Sequence, residues 1–435
     1  MKRRTLLPAA LLLAFITPTQ AGEPRFPLKD KDVWVMAGDS ITAQHLHSNY
    51  FEAFCFARYP NLTFAFRNSG VGGHTIPSTM ARFDWDIAVW KPTIVSVELG
   101  MNDQGSTPTD KYIANMGEFD GMIRKAGARP IYLTASPINN GSTTKNVSGN
   151  SKLNDYAIAL KNFAEAKQAP FADQFHLLLD VWGNNKPNEG LANAVATIRN
   201  VAQNDKLQGV EHLREFLALH EKSKTPLVSM MGDPVHPGPT GQLTMAAALL
   251  KELGAEPFVS SAVLDSKGQV VSSKGCKIEM SGEEGGTIRF TRLDECLPFP
   301  IPDDARAVLP LYPTILELSQ YTLAVQGLKG EFKLTINGTA IGSINATDLE
   351  KGINLTGLGK GPIADHGKAI LAAVSAKEGL VSQARGQSKA ALAPNAEQGL
   401  KAKFEALLKQ IETADGKIRY AAKPKALKFE LTPVK

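Results

Sequence analysis

The feature that most constrains the fold is an alternation of strand-like and helix-like segments between Val33 and Gly254. Strands are predicted over Val33–Ala37, 62–70, Thr93–Gly100 and Arg129–Pro137. Helices are predicted over 109–127, 152–168 and 240–254, while segment 171–182 fits either a fifth strand or a helix. Because such alternation joins parallel strands through helical crossovers, the sequence predicts a parallel sheet with helices on both faces.

The pattern changes after Gly254. Residues 256–360 hold short runs of β character separated by Gly or Asn turns, with a clear turn at Asn337-Gly338, and they predict a small antiparallel β module. Residues 361–435 are predicted to be helical, with a linker over 391–399. The Lys-rich end of the chain is predicted to be a solvated tail.

The first 21 residues have the features of a signal peptide. A basic start is followed by an apolar run from Leu6 to Ile16, and Thr19 and Ala21 are the small residues of a cleavage site. The apolar run is too short for a comfortable membrane span, and no second long apolar run follows. We expect an exported protein, periplasmic or extracellular, without stable membrane insertion, whose first domain occupies residues 22–255.

The charge balance argues against some classes of partner. The full chain carries 48 basic and 43 acidic residues. Three of the basic residues, Lys2, Arg3 and Arg4, lie in the predicted signal peptide, so the mature chain is close to neutral. This balance gives no case for binding nucleic acid or an acidic membrane.

The chain has three cysteines, Cys55, Cys276 and Cys296, and none of their spacings is typical of a metal site. Cys276 and Cys296 flank a predicted hairpin. They could form a disulfide across its ends or remain two separate thiols. Cys55 lies in an apolar segment and is predicted to belong to the core.

A serine stands where the first predicted strand ends, in "GDSIT". A serine hydroxyl becomes a useful nucleophile only beside a base, usually a histidine that a carboxylate holds in place. The segment "MMGDPVHPGPTG" supplies Asp233 and His236 in a Pro-rich loop just before the last predicted helix of this region. Taken alone, such a loop is an ordinary loop, and Asp39 or Ser40 could simply cap the helix that follows.

Two further segments offer hydrogen-bond donors for an oxyanion. Gly73, in "NSGVGGHT", follows the second predicted strand, and Asn102, in "GMND", follows the third. Each residue is also an ordinary turn former. However, all four segments lie at strand exits or before a helix, and the topology would bring them to one edge of the parallel sheet.

In this order, "GDSIT", "NSGVGGHT", "GMND" and "DPVH" resemble the four sequence blocks of the SGNH (GDSL-type) hydrolase superfamily, over about half of the chain. The resemblance implies an α/β class domain, with a three-layer α/β/α flavodoxin-like fold and no metal or other cofactor. It implies that Ser40 is the nucleophile and that Asp233 and His236 are the acid and base. The Ser40 N–H, Gly73 and Asn102 would form the oxyanion hole.

The match has departures and open points. Isoleucine replaces the leucine of the name-giving motif, and His74 stands where aspartate is common in the superfamily. His74 is either a bystander or a substrate contact, and Asp39 is a second candidate contact. Glu98 is either a buried acid near the site or an exposed strand residue. A G-x-S-x-G elbow is absent from the sequence.

The expected function is that of an exported serine esterase. Its substrate would be a small-molecule or glycan ester, with a small acyl group such as acetyl on a carbohydrate favoured. A lysophospholipase or arylesterase remains an alternative, and acyl transfer would use the same residues. The contrasting class is a non-catalytic glycan-binding protein in which the four blocks are remnants.

Overall fold

The computed structural model describes residues 26–138, 147–184, 189–204, 206–223, 228, 230 and 232–434. The predicted signal peptide lies outside these residues. The central sheet has five parallel strands in the order β2-β1-β3-β4-β5. The strands are β1 (Val33–Gly38), β2 (Ala65–Gly70), β3 (Ile94–Glu98), β4 (Arg129–Leu133) and β5 (Phe171–Ala172). This is the flavodoxin-like strand order, as the resemblance implied.

Helices connect and cover these strands. The ambiguous segment 171–182 contributes both the two-residue strand β5 and the start of a helix. The helices are α1 (Ser40–Ala43), α2 (His47–Arg58), α3 (Ile76–Met80), α4 (Phe83–Asp86), α5 (Thr109–Lys125), α6 (Ser151–Ala166), α7 (Gln174–Asn184), α8 (Glu189–Ala202), α9 (Glu211–Ser223) and α10 (Pro239–Glu252).

Both faces of the sheet are buried, which explains why β1 reads as a continuous apolar run. Trp34 and Met36 enter a core shared with α2, α7 and α10. Val35 and Ala37 point to the opposite face and enter a second core shared with α5 and α6. The predicted three-layer α/β/α arrangement is therefore confirmed.

The β-rich region consists of two sheets around a third core. One sheet has the order β13-β10-β6-β7 and the other β12-β11-β14-β9-β8. The prediction of a purely antiparallel module was wrong, because β10 pairs with β6 in parallel. The strands are β6 (Phe258–Leu264), β7 (Val270–Lys274), β8 (Cys276–Glu284), β9 (Thr287–Asp294), β10 (Gln320–Val325), β11 (Glu331–Ile336), β12 (Thr339–Asn345), β13 (Ile353–Asn354) and β14 (Leu427–Pro433).

The prediction of a solvated Lys-rich tail was also wrong. Strand β14 lies in the middle of its sheet, between β11 and β9. Phe429 and Leu431 are buried in the core, while Lys428 and Glu430, which alternate with them, lie on the other face. The segment thus has the period-2 alternation of a half-buried strand, and the lysines obscured it.

A helical hairpin precedes β14. It consists of α13 (Pro362–Ala391) and α14 (Gln398–Ala421), after the short helices α11 (Thr314–Glu317) and α12 (Ala346–Lys351). Val381 and Leu407 enter the core on one face of the central sheet, whereas Ile370 and Ile418 enter the core on the other. The hairpin therefore lies across the open edge of the sheet, beside β2.

All three cysteines are free thiols. The predicted hairpin between Cys276 and Cys296 is formed by β8 and β9, without a disulfide across it. Cys55 is fully buried, as predicted. Within the described residues, none of the helices combines the length and apolarity needed to cross a bilayer.

Candidate active site

Ser40 lies at the carboxyl end of β1, as the first residue of α1. Asp39 is the N-cap, and its Oδ1 accepts a hydrogen bond from the Ile41 N–H at 2.9 Å. Gly38 allows the helix to start so close to the strand. A Cβ at this position would lie 2.1 Å from the Thr42 Oγ1, so no other residue fits without displacing the helix.

The structure brings Ser40, His236 and Asp233 into one hydrogen-bonded line. The Ser40 Oγ lies 2.8 Å from the His236 Nε2, and the His236 Nδ1 lies 2.7 Å from the Asp233 Oδ2. An ionised carboxylate can only accept, so the Nδ1 carries the proton and the Nε2 accepts from the serine hydroxyl. This arrangement can remove the proton from Ser40 during nucleophilic attack.

Asp233 is held by its own loop. Its Oδ1 accepts from the backbone N–H groups of Val235 and His236, both at 2.8 Å. These backbone bonds, joined by the His236 side chain, lower the pKa of Asp233 to about 2. The carboxylate is therefore charged throughout the neutral range, and the 52% exposure of its side chain also favours the charged form.

Two candidate oxyanion donors lie beside this line. Gly73 adopts a φ of 76° and is exposed, and a Cβ there would meet nothing within 4 Å. The glycine is required by its backbone conformation and not by lack of space. The Asn102 Nδ2 lies 3.1 Å from the His74 O and 3.3 Å from the Asp39 Oδ2, at the far end of the Gly73 loop, which we define as residues 71–74.

Buried acids lie beneath Ser40. The side chain of Asp39 is fully buried, and burial raises its pKa to about 7. Its oxygens accept from Ile41 and Asn102, and these bonds support the groups around the nucleophile. Whether Asp39 also contacts substrate stays a prediction.

The question left open for Glu98 is settled by its position at the end of β3. Its side chain is buried, and its Oε2 accepts from the Thr42 Oγ1 at 2.6 Å. Burial, together with the nearby charge of Asp39, raises the pKa of Glu98 well above its usual range. Glu98 is therefore a buried acid next to the site and not an exposed strand residue.

His74 follows Gly73 and is partly exposed. Its Nδ1 accepts from the Arg82 Nε at 3.1 Å, which places the proton of the neutral ring on the Nε2. Burial, and then the charge of Arg82, lowers the pKa of His74 and favours this neutral form. Whether the Nε2–H contacts substrate stays a prediction.

Sequence reasoning gave no role to Asn68, which joins two parts of the site. Its Nδ2 donates to the Thr42 O at 2.7 Å and to the Ser48 Oγ at 2.9 Å, while its Oδ1 accepts from the Gly70 N–H. Asn68 thus fixes α1 and the end of β2 relative to each other. Its position as the first residue of "NSGVGGHT" was the available signal.

Among the described residues, no group of three or more His, Cys, Asp or Glu side chains could hold a metal ion. The absence of a metal or other cofactor stays a prediction.

The chain resembles known proteins in part of its sequence and in its fold. Residues 36–188 match the model of the GDSL-like Lipase/Acylhydrolase family. No curated protein matches the chain significantly. Among solved structures, a gut microbial diltiazem-metabolizing enzyme, BT4096, is 23% identical, with a TM-score of 0.69 over 94% of this chain and 99% of that one. This similarity is one of fold, and it extends to the β module and the hairpin.

A second similar structure covers less of the chain. Axe2, an acetylxylan esterase from Geobacillus stearothermophilus, is 20% identical, with a TM-score of 0.38 over 52% of this chain and 96% of that one. The family match spans the segments that carry Ser40, Gly73 and Asn102. The chain therefore contains a GDSL-like lipase/acylhydrolase domain over residues 36–188, the domain of an ester-bond hydrolase.

Proposed function

We propose that the protein is an exported serine esterase that removes a small acyl group, such as acetyl, from a carbohydrate. The observation that carries the catalytic part of this proposal is the continuous line of hydrogen bonds from the Ser40 Oγ through His236 to Asp233. These residues are separated by nearly 200 positions in the sequence, yet they meet at the distances that nucleophilic catalysis requires.

The reaction begins with attack of the Ser40 Oγ on the ester carbonyl. His236 accepts the serine proton at its Nε2, and the charged Asp233 stabilises the imidazolium that forms. When the tetrahedral intermediate collapses, the bond to the alcohol oxygen breaks and His236 returns the proton to that oxygen. Water then attacks the acyl-enzyme in the same way and releases the acid and Ser40.

The oxyanion is held by the N–H groups of Ser40 and Gly73 and by the Asn102 side chain. In the free protein the Asn102 Nδ2 is shared between the His74 O at 3.1 Å and the Asp39 Oδ2 at 3.3 Å. The substrate oxygen replaces the longer contact, to Asp39, while the contact to His74 keeps the amide in place. Because the hydrogen bond from Asn102 to this oxygen forms as the negative charge develops, it stabilises the transition state more than the bound substrate.

The openness of the site supports a bulky alcohol group. Gly72 and Gly73 are exposed, and His236 and Asp233 are 27% and 52% exposed. A large glycan can therefore remain outside while its ester reaches Ser40. The sequence around the four blocks contains no long apolar insert that would build a tunnel for a fatty acyl chain.

The first test compares the mature protein with Ser40→Ala, using a fluorophosphonate probe and p-nitrophenyl acetate. We expect labelling and hydrolysis in the wild type and neither in Ser40→Ala. Ser272→Ala is a matched control, because Ser272 is an exposed serine on β7 of the β module, and it should behave as the wild type does. A folded wild-type protein that is neither labelled nor active would support a non-catalytic binding protein instead.

A second experiment addresses the substrate. Acetylated oligosaccharides should be deacetylated faster than lysophospholipids are cleaved, and p-nitrophenyl acetate should be preferred to the octanoate. The reverse order would support the lipid or aryl ester alternative. Export is tested separately, because cleavage after Ala21 predicts a mature protein whose first residue is Gly22.

A further inference from the structure

Strand β2 is an edge strand of the central sheet, so its outward backbone groups have no strand partner. Side chains of the C-terminal hairpin take this role. They bind four backbone groups on β2 and on the residue before it: Arg419 to the Phe64 O at 3.0 Å, Lys377 to the Phe66 O at 2.9 Å, Glu378 to the Asn68 N–H at 3.2 Å and Arg385 to the Gly70 O at 3.1 Å.

Arg385 occupies the end of this series that is nearest to the site. Gly70 is the last residue of β2, and the Gly73 loop begins at the next residue. The Arg385 guanidinium also binds both carboxylate oxygens of Asp86, at the end of α4, with its Nη2 2.8 Å from the Oδ2. One side chain of α13 therefore joins the end of β2 to α4.

Asp86 also forms an ion pair with Arg82, so Asp86 links Arg385 to Arg82. Arg82 in turn donates from its Nε to the His74 Nδ1 at 3.1 Å, from its Nη1 to the Ser69 Oγ at 2.8 Å and from its Nη2 to the Gly38 O at 3.3 Å. Arg82 thus contacts the last residue of the Gly73 loop, the end of β2 just before the loop, and the end of β1.

The three charged groups are largely removed from solvent. The side chains of Arg385, Asp86 and Arg82 are 12%, 5% and 7% exposed. Although burial alone would raise the pKa of Asp86, the hydrogen bonds and charges of Arg385 and Arg82 keep it below its usual value. Asp86 is therefore charged at neutral pH, and each member of the network is held in one orientation by several bonds.

The Gly73 loop needs such support. It contains two adjacent exposed glycines, Gly72 and Gly73, the second at positive φ, which are features of a segment that is not rigid by itself. His74 is held on one side by Asn102, through its carbonyl oxygen, and on the other by Arg82, through its ring.

We propose that Arg385 of α13 is a positioning residue for the oxyanion hole, acting on the Gly73 loop through Gly70 and through Asp86 and Arg82. The hairpin is then part of the catalytic apparatus, although none of its residues belongs to the four sequence blocks. This inference rests on the proposed esterase function for its kinetic consequence, but its structural consequence can be measured without any substrate.

The test compares Arg385→Gln with Arg419→Gln. Both arginines extend from the same hairpin and donate to a backbone carbonyl oxygen, Arg385 at Gly70, the last residue of β2, and Arg419 at Phe64, the residue before its first. Kinetics with p-nitrophenyl acetate, thermal unfolding and hydrogen exchange of the backbone amides of residues 71–76 are measured for each variant.

For Arg385→Gln we expect kcat to fall about 10-fold or more with KM changed less than about 2-fold, because misplaced donors weaken transition-state binding. Exchange in the Gly73 loop should become faster. Arg419→Gln should keep kcat within about 2-fold of the wild type and leave exchange in the loop unchanged, even where its Tm falls equally. Arg385→Lys, which retains the charge but not the two-sided fork, should lie between Arg385→Gln and the wild type, and it serves if Arg385→Gln does not fold.

Equal losses of kcat in the two Gln variants, or unchanged exchange of the loop in Arg385→Gln, would show that Arg385 only stabilises the fold. If the wild type proves inactive, the esterase proposal fails by itself. The exchange comparison would still decide whether Arg385 positions the loop.

Discussion

Two segments of this protein share the pattern D-x-x-H, and only one of them meets a serine. In "DPVH" the Asp233 Oδ2 lies 2.7 Å from the His236 Nδ1, and in "DQFH" the Asp173 Oδ2 lies at the same distance from the His176 Nδ1. In both, the aspartate Oδ1 also accepts from the histidine N–H. The difference lies at the second ring nitrogen.

The His236 Nε2 faces the Ser40 Oγ at 2.8 Å, whereas the His176 Nε2 faces the Asn154 Oδ1 at 2.9 Å. An amide cannot act as a nucleophile in place of a hydroxyl. A histidine held by a carboxylate is therefore a local structure, which a short loop or the start of a helix can form without the rest of the fold. Chemistry depends on what the rest of the fold brings to its other nitrogen.

The largest effect is expected from breaking the Asp233–His236 pair, and the Asp173–His176 pair serves as the control. Asp233→Asn should lower kcat by about 10⁴-fold, because the amide no longer holds His236 in the tautomer that accepts the serine proton. Asp173→Asn removes the same kind of bond at His176 and should leave kcat unchanged. Steady-state kinetics with p-nitrophenyl acetate checks both, and comparable losses in the two variants would contradict our assignment.

The next largest effect is expected at the oxyanion donors, which the "DQFH" segment lacks. Asn102→Ala should lower kcat by about 10²- to 10³-fold, since one oxyanion donor is lost, and the variant should remain folded. Circular dichroism and kinetics together test this. Turnover close to that of the wild type would remove Asn102 from the oxyanion hole.

A smaller effect, dependent on pH, is expected at Asp39. The pKa of Asp39 is about 7, so Asn resembles the protonated form that dominates below pH 6. Asp39→Asn should therefore match the wild type at low pH and fall to about one tenth of its kcat above pH 8, where the charged Asp39 would support the His236 imidazolium. A loss that does not vary with pH would contradict this role.

The same pKa determines the direction of a stability change. Because folding raises the pKa of Asp39, the folded protein holds a proton that the unfolded chain releases near pH 4. The contribution of Asp39 to the free energy of unfolding should fall as the pH rises from about 4 to 7. Denaturant unfolding at several pH values should show a flatter pH dependence for Asp39→Asn.

No gain of activity is expected when the second D-x-x-H segment is given a serine. In the Ser40→Ala background, Asn154→Ser would place a hydroxyl near His176 and complete the pattern at the second site. We expect no hydrolysis of p-nitrophenyl acetate, because the site would still lack oxyanion donors. Measurable turnover by this double variant would show that hydrolysis depends less on oxyanion donors than we infer.

The sequence was most informative where structure is local. The four blocks and the strand order were predictable, because three blocks follow strands, the fourth directly precedes α10, and parallel strands share one edge. Nothing in the sequence pointed to Arg385, which lies 315 positions from Gly70 and has no pattern of its own. Strand β14 was missed because alternating lysines and apolar residues at a chain end resemble a solvated tail.

The position of β14 also bears on how the chain reaches its native state. Strands β9 and β11 do not pair with each other; each pairs with β14, whose residues come more than 90 positions later in the chain. During synthesis, the edges of both strands stay open until residues 427–433 arrive, after the α13–α14 hairpin has emerged. Closure of the β module is thus a late, long-range step, and until it occurs the open edges of β9 and β11 are the surfaces most prone to aggregate.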